Sequence, residues 1–270
     1  CSSDLPVNQY FTAVGFGVCY SDYELGDRFK ALDASGSAVS AEIFVRQPVL
    51  RGEHLRLELN AGGRYRRSRD RLGLFDATFE KHTLSGYGGA AFAWSSPQGL
   101  SVQAGTRLTG GQLTNDDDWG LYEDHSYLIF NLDYRVSYEF MPGLSVSGNG
   151  QVQLANTALD GADAFQAAGP DAVAAFDTSA AVGDEGLMQR LALHYRVNGD
   201  LSFSVSPHAD AGWVKNRQGG DSRHVFGAGL ELSASFHGVS LTVELDHALG
   251  SVPEGQDSGR IWVSAAYRYG

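Results

Sequence analysis

The sequence predicts an all-β fold: a transmembrane antiparallel β-barrel of about twelve strands. Three observations predict it. Period-two alternation of apolar and polar residues recurs down the chain in segments of about 10–14 residues, longer than the usual strand of 5–6. The polar face of these segments is rich in Gly, Ser, Asn and paired charges, as a water-filled lumen requires. The apolar face ends in aromatics (Tyr65, Trp94, Tyr138, Phe140, Tyr195, Trp213, Phe236, Tyr267, Tyr269), as at a membrane interface. Connections between segments also alternate, long then short.

The expected strands lie near 10–21, 38–48, 53–66, 80–95, 100–109, 126–140, 144–154, 186–197, 201–213, 224–236, 239–249 and 260–270. The stretch from Leu128 to Phe140 is the sharpest. Leu128, Phe130, Leu132, Tyr134, Val136, Tyr138 and Phe140 share one face, and Asn131, Asp133, Arg135, Ser137 and Glu139 share the other. In 224–236 Phe226, Ala228, Leu230, Leu232, Ala234 and Phe236 face away from Gly227, Gly229, Glu231, Ser233 and Ser235. The last two strands alternate Val239, Leu241, Val243, Leu245 and then Ile261, Val263, Ala265, Tyr267 against Glu244, Asp246, Trp262 and Arg268. Short turns fall at Leu50-Arg51-Gly52, Ser96-Pro97-Gln98-Gly99, Met141-Pro142-Gly143, Asn198-Gly199-Asp200 and His237-Gly238. Long connections fall at 22–37, 67–79, 110–125, 155–185, 214–223 and 250–259. Outer-membrane barrels have this alternation, with short periplasmic turns and long outer loops. A soluble sandwich also alternates, but it does not need such long strands or a wet inner face. In hydrocarbon each unpaired backbone group costs several kcal/mol, so a sheet in lipid must close its edges.

Composition narrows the function. The chain has 270 residues, and 43% are hydrophobic, 11% aromatic and 19% charged, with 34 Gly. Its formal charge is −12, which opposes nucleic-acid binding, because phosphate backbones are held by surplus Lys and Arg. Cys1 and Cys19 are too few for a disulfide framework or a four-ligand zinc site. Cys1-Ser2-Ser3-Asp4 reads either as the acylated start of a mature lipoprotein or as an ordinary boundary. Residues 1–9 are expected as an N-terminal periplasmic segment and 10–270 as the barrel.

No catalytic centre is expected. Asn115-Asp116-Asp117-Asp118 lacks the 1-3-5 spacing and distal Glu of a calcium loop and reads as a solvated outer loop. The histidines (His54, His82, His125, His194, His208, His224, His237, His247) show no metal-ligand spacing within one element, so no metal or cofactor is expected. No Gly-x-Ser-x-Gly elbow occurs. Arg64-Tyr65-Arg66-Arg67-Ser68-Arg69-Asp70-Arg71 is the one basic run, read as either a solvated rim or a contact for lipopolysaccharide phosphates. The Ala- and Asp-rich segment Ala155–Ala181 does not alternate, and a loop of about 30 residues is uncommon unless functional.

Several motifs resemble one family. Tyr20-Ser21-Asp22-Tyr23-Glu24-Leu25-Gly26, Ala31-Leu32-Asp33-Ala34-Ser35-Gly36 and Gln47-Pro48-Val49-Leu50-Arg51 look like the barrel of two-partner secretion transporters, the haemolysin secretion/activation family. Gly169-Pro170-Asp171-Ala172-Val173-Ala174-Ala175-Phe176, followed by Gly183-Asp184-Glu185-Gly186, is similar to that family's long inward-folding loop and the strand after it. His208-Ala209-Asp210-Ala211-Gly212 resembles its Phe-x-Asp-x-Gly strand, and Ala248-Leu249-Gly250, Pro253, Gly259-Arg260 and Ala266-Tyr267-Arg268-Tyr269 resemble its C-terminal segment. The resemblance implies a bacterial outer-membrane barrel, with outer-membrane lipids around it, that exports or displays a secreted partner protein. It also implies a lumen lock in which a loop Arg pairs with the strand Asp. It covers the barrel portion and not the periplasmic recognition domains, with about twelve strands where the family has sixteen.

This sequence departs from the lock. The family's Val-Arg-Gly/Ala-Tyr is here Val173-Ala174-Ala175-Phe176, so Asp210 lacks the loop cation. Arg190 and Arg196 point inward on the preceding strand and are the candidate replacements. The site residues are therefore Val173, Ala174, Ala175, Phe176, Asp210, Gly212 and Arg190, with Cys1 for lipidation. Export ranks first. A structural or anchoring barrel that has lost translocation and a small diffusion pore are the alternatives. The 155–181 segment is expected as the plug, with a mobile outer loop as the plainer reading.

Overall fold

A computed structural model describes residues 2–6, 11–24, 34–72, 77–116, 124–253 and 255–268. Among them, fifteen strands occur: β1 (Ser2–Pro6), β2 (Ala13–Glu24), β3 (Ala34–Arg51), β4 (Leu55–Leu72), β5 (Ala77–Ser95), β6 (Leu100–Asn115), β7 (His125–Met141), β8 (Leu144–Ala155), β9 (Phe165–Gln166), β10 (Val182–Gly183), β11 (Glu185–Val197), β12 (Leu201–Lys215), β13 (Ser222–Phe236), β14 (Val239–Ala248) and β15 (Gly259–Tyr267). Thirteen form one sheet in the order β1–β8, then β11–β15; β9 and β10 pair with each other. Every register resolved along the main sheet is antiparallel. The described residues hold no helix long and apolar enough to cross a membrane.

The twelve expected strands are β2–β8 and β11–β15, and most are longer than alternation alone indicates. β3 and β4 each have 18 residues and β5 has 19. About 9–11 residues suffice to cross hydrocarbon. The additions lie mainly at the long-loop ends. There the apolar stripe stops, while backbone pairing continues through polar residues such as those from Arg66 to Arg71. Periodicity reports burial of side chains, and the hydrogen-bonded ladder needs none. β1 falls in the 1–9 stretch and pairs along β2, Ser2 opposite Gly17 and Pro6 opposite Ala13. Cys1 lies outside the described residues, as do Leu25, Gly26, Ala31, Leu32, Asp33, Asp117, Asp118 and Tyr269 of the features singled out above.

Turn chemistry sets the short connections. At Pro142-Gly143 a proline precedes a glycine with φ of 78°, the signature of a type II turn. At His237-Gly238 both residues have positive φ, 47° and 83°, as the two-residue type I′ hairpin demands. At Gln47-Pro48-Val49-Leu50 the β3–β4 register slips between Pro48 and Leu50, a bulge that spares the ladder the missing proline N–H.

Chain contacts divide the molecule into two units, Cys1–Ala91 with Thr106–Ile129, and Phe92–Gly105 with Phe130–Gly270. In the first, Phe16, Val18, Tyr20, Ile43 and Tyr65 are exposed on one face. The other face is ionic: Arg64 Nη2 donates to Glu42 at 3.0 Å, Tyr87 Oη donates to Glu42 at 2.6 Å, and Arg107 lies 4.5 Å over the Tyr87 ring. The basic run is an ion-pair lattice. Arg67 Nε donates to Glu80 at 2.6 Å, Arg69 lies 3.7 Å from the same carboxylate, and Lys81 lies 3.9 Å from Asp70. In the second unit, Leu191, Tyr195, Phe203, Phe226, Leu241, Ile261 and Val263 are exposed on one face, while the opposite face is covered by the segment between β8 and β11.

Candidate functional site

The covering segment, residues 156–184, holds the buried core of the second unit. Phe165, Ala167, Ala168, Ala172, Val173, Ala175, Phe176, Ala180 and Ala181 pack with Met188 of β11, Val214 of β12, Val225 of β13 and Ala248 of β14. Val173 and Ala174 have no exposed surface. The segment carries its own short structure: the β9–β10 hairpin, a bridge between Ala168 and Val173, and a 3-10 turn at Thr178–Ala180. It is a folded body seated on the strands, not a loop extended into solvent.

Small residues let it approach so closely. A Cβ on Gly186 would lie 2.0 Å from the Phe165 ring. One on Gly212 would lie 2.8 Å from the Ala167 carbonyl, and one on Gly227 3.1 Å from Val173 and 3.2 Å from Ala175. Gly186, Gly212 and Gly227 sit on three successive strands, β11, β12 and β13, so the wall has a shallow seat where the alanine-rich chain rests. This is the physical role of Gly212 among the expected site residues.

Polar side chains of the wall hold the segment's backbone. Trp262 Nε1 donates to the Ala174 carbonyl at 2.9 Å, Gln256 Nε2 to Ala175 at 3.3 Å, and Arg223 Nη1 to Ala180 at 3.2 Å. Arg190 Nη2 donates to Ala172 at 3.3 Å, and Arg260 pairs with Asp177 at 2.6 Å. At the base, Asp184 accepts from the backbone N–H of Leu159 at 2.7 Å and of Arg217 at 2.6 Å. Gln153 Nε2 donates to the Asp163 and Asp184 carbonyls at 2.9 and 3.1 Å.

Below the segment lies a charged cluster. Arg190 and Asp210 are directly opposite in the β11–β12 register. Arg190 Nε donates to Asp210 Oδ1 at 2.7 Å, and Nη2 to Oδ2 at 2.9 Å, a bidentate fork that occupies both carboxylate oxygens. The same guanidinium lies 2.9 Å from Glu244. His208 Nε2 lies 3.0 Å from Asp246, 3.3 Å from Glu244 and 3.6 Å from Asp210. Of the two arginines considered for Asp210, the geometry selects Arg190; Arg196, six residues along the same strand, is exposed. The cation therefore comes from the wall, and Val173-Ala174-Ala175-Phe176 presents carbonyls and apolar side chains instead of a charge. Trp262, Arg223, Glu244 and Asp246 are site residues that motif reading missed, and His208 and Arg260 lay inside motifs without being assigned to the site. Their signal was present: a tryptophan and charges on the faces otherwise given to Gly and Ser.

A long-stranded antiparallel sheet, apolar outside and polar within, with a folded segment seated on its polar face, defines a class: outer-membrane β-barrels carrying an inward loop. The sequence matches the haemolysin secretion/activation protein family, ShlB/FhaC/HecB, over residues 24–234, and the chain belongs to that family. No individual curated protein matches it. Among solved structures it is similar to CdiB from Escherichia coli, with a TM-score of 0.82 and 16% identity over 98% of this chain and 52% of that one. It is also similar to CdiB from Acinetobacter baumannii, with a TM-score of 0.77 and 16% identity over 99% of this chain and 49% of that one. The chain thus spans about half the length of these structures, and at this identity they establish the fold alone, an antiparallel β-barrel; with the family match, the chain is a protein of the bacterial outer membrane.

Proposed function

We propose that this chain forms the barrel portion of a two-partner secretion transporter, with residues 156–184 as the plug of the export path and residues 10–270 as the barrel domain, to whose sheet β1 of the 1–9 segment adds a strand. One observation carries the proposal beyond family membership: the segment is a preformed body held by side-chain donors, so it can dock or leave without unzipping a strand. The cargo is a secreted or surface-assembled partner protein. Outer-membrane lipids contact the exposed apolar face, no nucleic acid takes part, and no bond is made or broken in any substrate. Arg190, Asp210 and Gly212 act as the seat, and Val173, Ala174, Ala175 and Phe176 as the element seated. A steady diffusion pore is disfavoured because the segment covers the polar face on which solutes would pass.

The test compares surface and medium proteins of cells with and without the gene, then restores the full chain or a chain lacking residues 155–181. Export predicts one large protein lost on deletion and restored by the full chain. It also predicts higher steady conductance for the shortened chain in planar bilayers. An unchanged set of exported proteins, with the barrel co-purifying in fixed stoichiometry with other surface subunits, would overturn export in favour of anchoring.

A further inference from the structure

We infer that His208, Asp210 and Asp246 form a binding site for one divalent transition-metal ion, with zinc as the best fit, on the polar face beneath the seated segment. One donor atom from each lies within 4.8 Å of the others. The His208 nitrogen is 3.0 Å from Asp246 and 3.6 Å from Asp210. Ligands about 2.0–2.1 Å from a tetrahedral zinc stand roughly 3.3 Å apart, so small side-chain adjustments bring these donors into its shell. One imidazole with carboxylates is a donor set suited to zinc and not to calcium or magnesium, which favour all-oxygen shells.

Two further observations point to a ligand here. The first is charge. Asp210, Glu244 and Asp246 bring three negative charges to a site where His208, Asp210 and Asp246 side chains are 1–2% exposed, and Arg190 supplies the only full positive charge within contact among the described residues. Beside Arg190, a protonated imidazole leaves one charge uncompensated and a neutral one leaves two, which a divalent ion cancels on displacing the proton. Asp246 Oδ2 is buried with no hydrogen-bond partner, an arrangement that burial penalises unless a cation supplies the missing contact.

The second is a cradle in the backbone. His208 on β12 and Asp246 on β14 are separated by a whole strand, and Gly229 of β13 stands between them in register with both. A Cβ on Gly229 would lie 2.4 Å from Asp246 Oδ1 and 2.6 Å from His208 Nε2. Glycine at this one position lets the imidazole and carboxylate meet over the intervening strand. Arg190 shares Asp210 with this site: its Nη2 holds Oδ2, the oxygen that faces His208, at 2.9 Å, so the ion takes the second lone pair of that oxygen.

The experiment titrates the full chain, refolded in detergent micelles and stripped of metal by a chelator that is then removed, with cobalt(II) and afterwards zinc. The expected result is one equivalent of cobalt with the intense visible absorption of a low-coordinate site, displaced by one equivalent of zinc. His208→Ala and Asp246→Asn should each weaken zinc binding at least about tenfold, since loss of a second-shell partner alone costs 10–100-fold. Glu139→Gln, near the end of β7 and remote in sequence, should leave it unchanged. Equal binding by wild type and both variants, or no saturable one-to-one binding by wild type, overturns the site. Should both variants fail to fold, the wild-type titration and a chelator-reversible rise in its unfolding temperature with zinc decide the matter.

Discussion

Replacing Arg190 with Met removes the one guanidinium that reaches both oxygens of Asp210 while keeping much of its aliphatic bulk. The carboxylate it leaves has a side chain only 1% exposed and loses charge-assisted contacts of 2.7 and 2.9 Å; His208 at 3.6 Å is too far to replace them. Breaking one side of a buried pair costs about 3–5 kcal/mol, because a desolvated charge is left without a partner. At about 1.4 kcal/mol per decade, the unfolding equilibrium should shift by two to three and a half orders of magnitude. Guanidinium unfolding in micelles, with chelator present and tryptophan fluorescence as the readout, measures it; Trp213 and Trp262 lie on strands of the same unit. Arg196→Met on the exposed end of β11 is the control and should change stability by no more than about 0.5 kcal/mol. Adding Asp210→Asn to Arg190→Met should recover part of the loss, since the Asp210 charge is gone while Glu244 and the Ala172 carbonyl still lack the guanidinium. A loss below about 1 kcal/mol at Arg190, or equal losses at Arg190 and Arg196, would refute the assignment of this pair as the seat of the segment.

Two further changes separate docking from wall stability. Trp262→Phe keeps the ring and deletes the donor to the Ala174 carbonyl, a group with no route to water; about 1–3 kcal/mol of docking should be lost. Protease cleavage within residues 156–184 should accelerate while the far-UV spectrum of the strands stays the same. Gly186→Leu places a side chain where the Phe165 ring already lies, and overpacking there should release the β9–β10 hairpin, read as the same rise in cleavage; a protected segment in this variant would contradict the seat described.

Strands were legible because lipid and water on opposite faces impose a period of two, and the turns because Pro-Gly and His-Gly leave few backbone choices. Strand ends were not, because pairing beyond the bilayer carries no apolar signature, as β4 shows in running through the basic residues to Leu72. The segment's burial was suggested by family likeness alone; its many alanines look like a flexible loop until the glycines opposite them are placed. Arg190 was legible by alternation, as the nearest inward cation to Asp210. The His208 cluster was not, because its members come from β12 and β14, and spacing within one element is blind to a meeting over Gly229. Trp262 was assigned correctly to the polar face, but only the fold shows the carbonyl it serves.

The way the segment is fastened has a mechanical corollary. Ala172, Ala174, Ala175 and Ala180 are each gripped through a carbonyl oxygen by a side chain rooted in a neighbouring strand, β15 and the turn before it included. Carbonyls are common to every residue type, so the grip is indifferent to what those four positions carry, provided it is small. Such a stopper can drift in sequence while keeping its moorings, and it can be unmoored one rope at a time without loosening the hull.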